Sequence, residues 1–203
     1  MKRRFKTLLF ALVAMAMPLV ASAQTKVEIG GIWYNLTAET HEAEVTSSDG
    51  TEYSGSITLT ATVTYNGVAY SVTSIGDWAF NGCTSLTAIT IPEGVTSIGN
   101  FAFHNCSSLT AITIPESVTS IGNKAFDICR SLTSIVVASG NKVYDSRGDC
   151  NALIETNSNT LIKGCATTII PEDVTSIGDG AFRACSSLTA ITIPKGVTSI
   201  GDE

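Results

Sequence analysis

A 23-residue period constrains this chain more than any other feature of its sequence. The stretch IGDWAFNGCTSLTAITIPEGVTS, from Ile75 to Ser97, returns as IGNFAFHNCSSLTAITIPESVTS from Ile98 to Ser120. It starts again at Ile121 and, after an interruption, at Ile177 as IGDGAFRACSSLTAITIPKGVTS. Phe80, Phe103 and Phe126 share one phase, Cys83, Cys106 and Cys129 a second, and Leu86, Leu109 and Leu132 a third. A fixed period of this size marks a solenoid, in which each unit is one coil of a stack. A single coil cannot fold alone. Ordering its residues costs roughly 1.5 kcal/mol each, more than about seven buried apolar side chains return at roughly 2 kcal/mol each.

Each unit can be decoded. In Leu86-Thr87-Ala88-Ile89-Thr90-Ile91, alternation sends Ile89 and Ile91 inward and Ala88 and Thr90 outward. Pro92 ends the strand, because it has no N–H for a ladder. Val95 and Ile98 form a second inward pair, and Gly99 permits a turn. Asn100, in phase with Asp77, Asn123 and Asp179, reads as the N-cap of a single helical turn that carries Ala102, Phe103 and Cys106 inward. The expected fold is mainly β with short helical turns, stacked as 23-residue coils.

The ends of the chain differ from this frame. Lys2, Arg3, Arg4 and Lys6 precede an apolar run from Leu8 to Val20 and then Ala21-Ser22-Ala23, which reads as a signal peptide over residues 1–23. The run is too short to span a bilayer comfortably, and no Cys follows the cut, which argues against a lipid anchor. Removing the signal takes four of the 12 basic residues and none of the 18 acidic ones, leaving a net −10. Such a surface repels nucleic acid and anionic membrane. Residues 24–74 lack the repeat but alternate strongly, with Asn66-Gly67 placed for a two-residue hairpin turn. They read as an N-terminal β cap whose last part is a modified first coil, followed by the solenoid over 75–203. Within it, residues 144–176 form an irregular 33-residue unit, ten longer than the rest. The extra residues fit a hairpin of NALIET and NTLIKG about Asn157-Ser158, which sets Leu153 across from Ile162 and Cys150 across from Cys165. That geometry allows a cross-strand disulfide. Cys83, Cys106, Cys129 and Cys185, in one phase, read as buried free thiols, because stacked equivalents carry parallel Cβ vectors. The sequence stops as a new coil begins, which reads as a fragment or a member of an assembly. Phe182, Leu188, Ile191 and Ile193 are then expected to border solvent, with self-association through that end.

The motif LTxIxIPxxVTSIGxxAFxxC resembles the BspA-like leucine-rich repeat, over Ser56 to Glu203. The ASAQ signal end and the IGGIWYNLTAET cap are similar to exported members from Bacteroidetes-type bacteria. The resemblance implies a leucine-rich-repeat solenoid on a secreted, periplasmic or cell-surface protein. Some family members act as adhesins for host matrix proteins or other bacteria, and catalysis is not a family trait.

The residues agree with a non-catalytic reading. His104 and Cys106 suggest a nucleophile pair, but the turn should send Cys106 inward and His104 outward. No phosphate-binding glycine loop, no His/Cys metal spacing and no cofactor motif is present. Glu93, Glu116 and Glu172 share a phase suited to calcium, but Lys195 breaks the series, which reads as a solvated edge. Where coils differ is more informative. Trp78, Phe101, Lys124 and Gly180 share one phase, and Asn81, His104, Asp127 and Arg183 another. Rings spaced by one coil would make an exposed amphipathic stripe, or merely cover the coil edge. The expected function is binding of a host matrix or bacterial surface macromolecule, protein or glycan, at Trp78, Phe101, Lys124, His104, Asp127 and Arg183. A structural spacer with no ligand of its own is the alternative.

Overall fold

The computed structural model describes residues 24–50 and 52–202; the expected signal peptide lies outside them. The cap opens with strand Gln24–Ile29, which turns through Gly30-Gly31 into Ile32–Thr37 and then Glu42–Thr46. Its inward face (Tyr34, Leu36, Ala43 and Val45) is almost wholly buried and continuous with the core of the coils. Glu42–Thr46 pairs in parallel with Val68–Ile75, which also forms a hairpin with Thr62–Tyr65. Asn66 and Gly67 make that turn at φ 50° and 80°, the positive angles a two-residue hairpin demands.

Two parallel ladders leave the cap. One pairs Gly55–Thr58 with Leu86–Thr90, and a separate two-stranded pair, Ala111–Ile114 with Ser134–Val137, follows it along the stack. The other links Val68–Ile75, Ser97–Ile98 and Ser120–Ile121, with Ile75, Ile98 and Ile121 in register. Between the ladders, the rings of Phe80, Phe103 and Phe126 stack at 5.1 and 5.4 Å, tilted by 3° and 8°. The Cys106 thiol donates to the Phe80 carbonyl at 3.1 Å, and Cys129 to that of Phe103 at 3.2 Å. All six cysteines are free; Cys185, in the last coil, is only half-buried. Burial pushes the Cys106 thiol far above its ordinary range and that of Cys129 to about 12.

The expected helical turns do not form. Trp78, Phe101 and Lys124 adopt φ 61°, 55° and 53°, and Asn105 and Ile128 adopt 58° and 57°. Two left-handed residues per coil break any helix, and successive tight turns take its place, with Ala79, Asn81 and Cys83 donating to Gly76, Trp78 and Phe80. The 3-10 turn Arg147–Asp149 is the one helical element among the described residues. Alternate N–H groups instead point along the stack. Trp78, Phe80 and Gly82 donate to the Asn100, Ala102 and His104 carbonyls at 3.0, 2.7 and 2.8 Å. The residues expected to cap a helix cap the next coil: Asp77 Oδ1 accepts the Asn100 N–H at 2.6 Å, and Asn100 Oδ1 that of Asn123 at 2.9 Å. This close approach dictates the glycines. A Cβ on Gly99 would stand 2.5 Å from the Asp77 nitrogen, and one on Gly122 2.5 Å from that of Asn100.

The irregular unit holds the expected hairpin, Ala152–Glu155 against Thr160–Gly164, but residues 156–159 form a four-residue loop in place of a two-residue turn. Glu155 and Ile154 face Thr160 and Leu161 as expected; a bulge then sets Leu153 opposite Lys163, not Ile162. Cys150 and Cys165 do not form a disulfide. The strand lies between two cores, with Leu153 and Cys165 in the main one and Cys150, Ala152 and Ile154 in a second. Both faces are buried, so simple alternation no longer sets the register. The Cys165 thiol meets the Asn151 carbonyl at 3.3 Å.

The second ladder breaks here. Among the described residues Ser120–Ile121 has no strand on its far side; the Tyr144 hydroxyl takes the Ile121 N–H at 3.0 Å. A new ladder starts with Thr160–Gly164 and continues through Ser176–Ile177 and Ser199–Ile200. Arg147 staples the break, binding Asp145 at 2.8 Å, Asn159 at 3.0 Å and Asp173. In the last repeat, the expected strand Leu188 to Ile193 is absent, because the preceding unit sets no strand beside it. Ile193 and Ile200 are exposed, and Phe182, Leu188 and Ile191 half-buried.

Candidate binding site

The residues that vary between coils form one band on the turn side of the stack. Trp78 is 47% exposed and stacks on Phe101 with centroids 4.2 Å apart and planes 7° apart. The stacking follows from the fold, since both residues occupy the same left-handed position in successive coils. His104 packs edge-on against both rings, at 6.4 and 5.6 Å, and its Nδ1 lies 2.9 Å from Asn81 Oδ1. Cys106 is fully buried and bonded to Phe80, so His104 and Cys106 have separate partners and form no dyad. Glu93, from the acidic series, accepts the N–H groups of Glu116 and Ser117 at 3.3 Å. No cluster of metal-ligating side chains occurs among the described residues.

The band runs into a cleft of about 870 Å³ at the ladder break. Its cause is local. Where a regular coil makes its outward turn, Thr160–Gly164 runs straight through, and Gly164 donates to the Ala181 carbonyl as Phe80 does to that of Ala102. One rung of the turn stack is therefore missing. Lys124 and Asp127 form one wall, Gly180 and Arg183 the other, and Ile162 and Lys163 the floor. Trp78 and Phe101 also line it. Asp127, 5% exposed, bridges the gap to Arg183 at 3.1 Å, and its other oxygen accepts the Ile128 N–H at 3.0 Å.

The structure thus brings Trp78, Phe101, Lys124, Asp127 and Arg183 to one cleft and leaves His104 beside its aromatic end. Sequence reasoning missed Lys163, which is 6% exposed and donates to the Arg183 carbonyl at 3.0 Å. Its signal was a lysine two residues after Leu161, on the inward phase of an alternating strand.

Lys124 holds the left-handed conformation that Gly180 adopts freely in the same phase. Relief of roughly 1–2 kcal/mol of backbone strain, less roughly 0.5–1 kcal/mol of added unfolded-state entropy, means that Lys124→Gly should stabilise the fold by about 0.5–1 kcal/mol. Urea titration checks this; a destabilised variant would refute the strain.

A model of the BspA type leucine rich repeat region matches the chain in six copies, over residues 56–150 and 162–203. The match covers more than half of the chain, which therefore belongs to this family, and the gap falls on the hairpin. Among solved structures, the pneumococcal vaccine antigen PcpA matches 88% of this chain at 16% identity and a TM-score of 0.54. The chain spans 66% of that structure, slightly less than two thirds. The T. pallidum leucine rich repeat protein TpLRR matches 87% of this chain and 86% of its own at 24% identity, also with a TM-score of 0.54. Both likenesses establish the solenoid fold. No curated protein matches the chain significantly. No helix among the described residues is long and apolar enough to cross a membrane.

Proposed function

We propose that the chain is an exported, surface-exposed binding module that recognises a macromolecule, protein or glycan, in an adhesin-like role and without catalysis. One observation carries the reading: the exposed Trp78 stacks on the half-buried Phe101, both in a backbone conformation that bulky residues avoid, beside a cleft. A structural edge does not need the two rings, since Gly180 holds the same position in the last coil. Aromatic residues at a concave border are frequent anchors of binding energy. The basic head, apolar run and ASA end of residues 1–23 support export, and the likeness to a vaccine antigen agrees with a surface location.

The test is a pull-down and array measurement with matrix proteins and glycans, comparing the chain with a Trp78→Ala/Phe101→Ala variant. Binding should weaken by at least roughly tenfold while the circular dichroism stays unchanged. Equal binding by the variant would overturn the reading, and an absence of binding to every ligand would favour the spacer.

A further inference from the structure

In the regular coils, three N–H groups per turn segment donate to carbonyls of the next coil, the third of them from Gly82 to His104 and from Asn105 to Asp127. Trp78 and Phe80 reach Asn100 and Ala102; Phe101 and Phe103 reach Asn123 and Ala125, at 3.0 and 2.8 Å. The equivalent pair on the third coil is Lys124 and Phe126. Lys124 has the backbone angle of Trp78 and Phe101, so its N–H points the same way, along the stack and into the cleft. Neither Lys124 nor Phe126 has an acceptor for its N–H among the described residues. On the far wall the carbonyl matching Phe126, that of Ala181, is taken by the Gly164 N–H, and that of Arg183 by the Lys163 ammonium, whereas the carbonyl matching Lys124, that of Asp179, has no donor among the described residues. The cleft therefore offers two free N–H donors, of Lys124 and Phe126, against one free carbonyl, that of Asp179.

Its two lysines without an acidic partner among the described residues point in the same direction. Lys163 is almost wholly buried, has one neutral carbonyl as partner, and forms no ion pair among the described residues. A buried ammonium without a carboxylate is costly. Of the acids that line the cleft, Asp127 pairs with Arg183, while Asp77 and Asp179 accept the Asn100 and Asp202 N–H groups and keep their charge. Lys124 and Lys163 remain for a ligand.

We propose that the cleft takes an extended, acidic peptide segment of a protein partner, which replaces the missing rung. Its carbonyls accept from the Lys124 and Phe126 N–H groups, and an acidic side chain pairs with Lys163 and Lys124. A peptide is favoured over an acidic glycan because N–H groups two residues apart on this edge meet peptide carbonyls in both preceding coils. This is strand addition carried out on a turn stack. It rests on the binding-module reading and names the ligand chemistry of its cleft.

The test is amide NMR on the ¹⁵N-labelled protein, titrated with a blocked Gly-Glu-Ala-Glu-Gly peptide, with its Gln-for-Glu counterpart and tetragalacturonate as comparators. The acidic peptide should shift the Lys124 and Phe126 amides downfield and slow their hydrogen exchange. The Gln peptide, and the acidic peptide against Lys163→Met, should bind at least roughly tenfold more weakly. Unmoved Lys124 and Phe126 amides in the unsubstituted protein would overturn the proposal, with no dependence on how the variant folds. So would tetragalacturonate shifting them at lower concentration, which would assign the cleft to an acidic glycan. Binding that still depends on Trp78 and Phe101 while the peptide has no effect would sink this inference alone and leave the binding module standing.

Discussion

Phe103→Ala should cost about 3–5 kcal/mol of stability, far more than Phe101→Ala two residues away. The Phe103 ring is fully buried and stacked on both faces, against Phe80 at 5.1 Å and Phe126 at 5.4 Å. Its loss leaves a cavity that neither neighbour can fill, because its coil is pinned to the next at the Ile98 and Ile121 ladder and at the Asn100–Asn123 contact. In a stack each coil touches only its neighbours, so the defect weakens two interfaces at once. Phe182 shares the phase but is half-buried in the last coil, so Phe182→Ala should cost clearly less. Urea unfolding of the three variants gives the ranking. A Phe103→Ala loss below about 1 kcal/mol would show that the coils close over the gap and that ring stacking does not hold them.

The repeat made the Phe, Cys and Leu phases and the ladder isoleucines legible in the sequence, because a residue that must face the core in every coil recurs in every coil. It also exposed the candidate stripe by the opposite logic, since positions free of the core are free to vary. Other features depend on distances between coils, which no single unit contains. Gly99 and Gly122 are needed because the previous turn passes 2.5 Å from where a Cβ would stand, so a turn-based account of them fails. Asn100 reads as a helix cap by type, yet its N–H and its side chain both serve neighbouring coils. The left-handed turns left one trace: Gly180 shares the phase of Trp78, Phe101 and Lys124, and Gly82 that of Asn105 and Ile128. The cleft was illegible because it arises from what the hairpin unit omits, the outward turn. Strand Ala152–Glu155, buried on both faces, gave no alternation from which to read its register.

Raising the pH above about 9 should destabilise the fold through the core thiols, by on the order of 3 kcal/mol at about pH 10 between Cys106 and Cys129. The sign follows from which state holds the protons. In the unfolded chain these thiols titrate near 9, whereas burial holds Cys129 up to about 12 and Cys106 well above its ordinary value. Between those limits the native state keeps protons that the unfolded state gives up. The stabilisation is therefore fully present below about pH 9 and is lost as the pH rises toward the folded values. Each thiol also donates to the carbonyl of a Phe in the preceding coil, at 3.1 and 3.2 Å, a bond that a thiolate cannot make. The control is the Cys106→Ala/Cys129→Ala protein, less stable at neutral pH but with a flatter alkaline limb, since tyrosine and lysine titrations are common to both chains. Thermal midpoints from about pH 7 to 10.5 provide the comparison. Parallel curves for the two proteins would show that the thiols carry none of the alkaline sensitivity, and that the row of cysteines is ordinary small core packing.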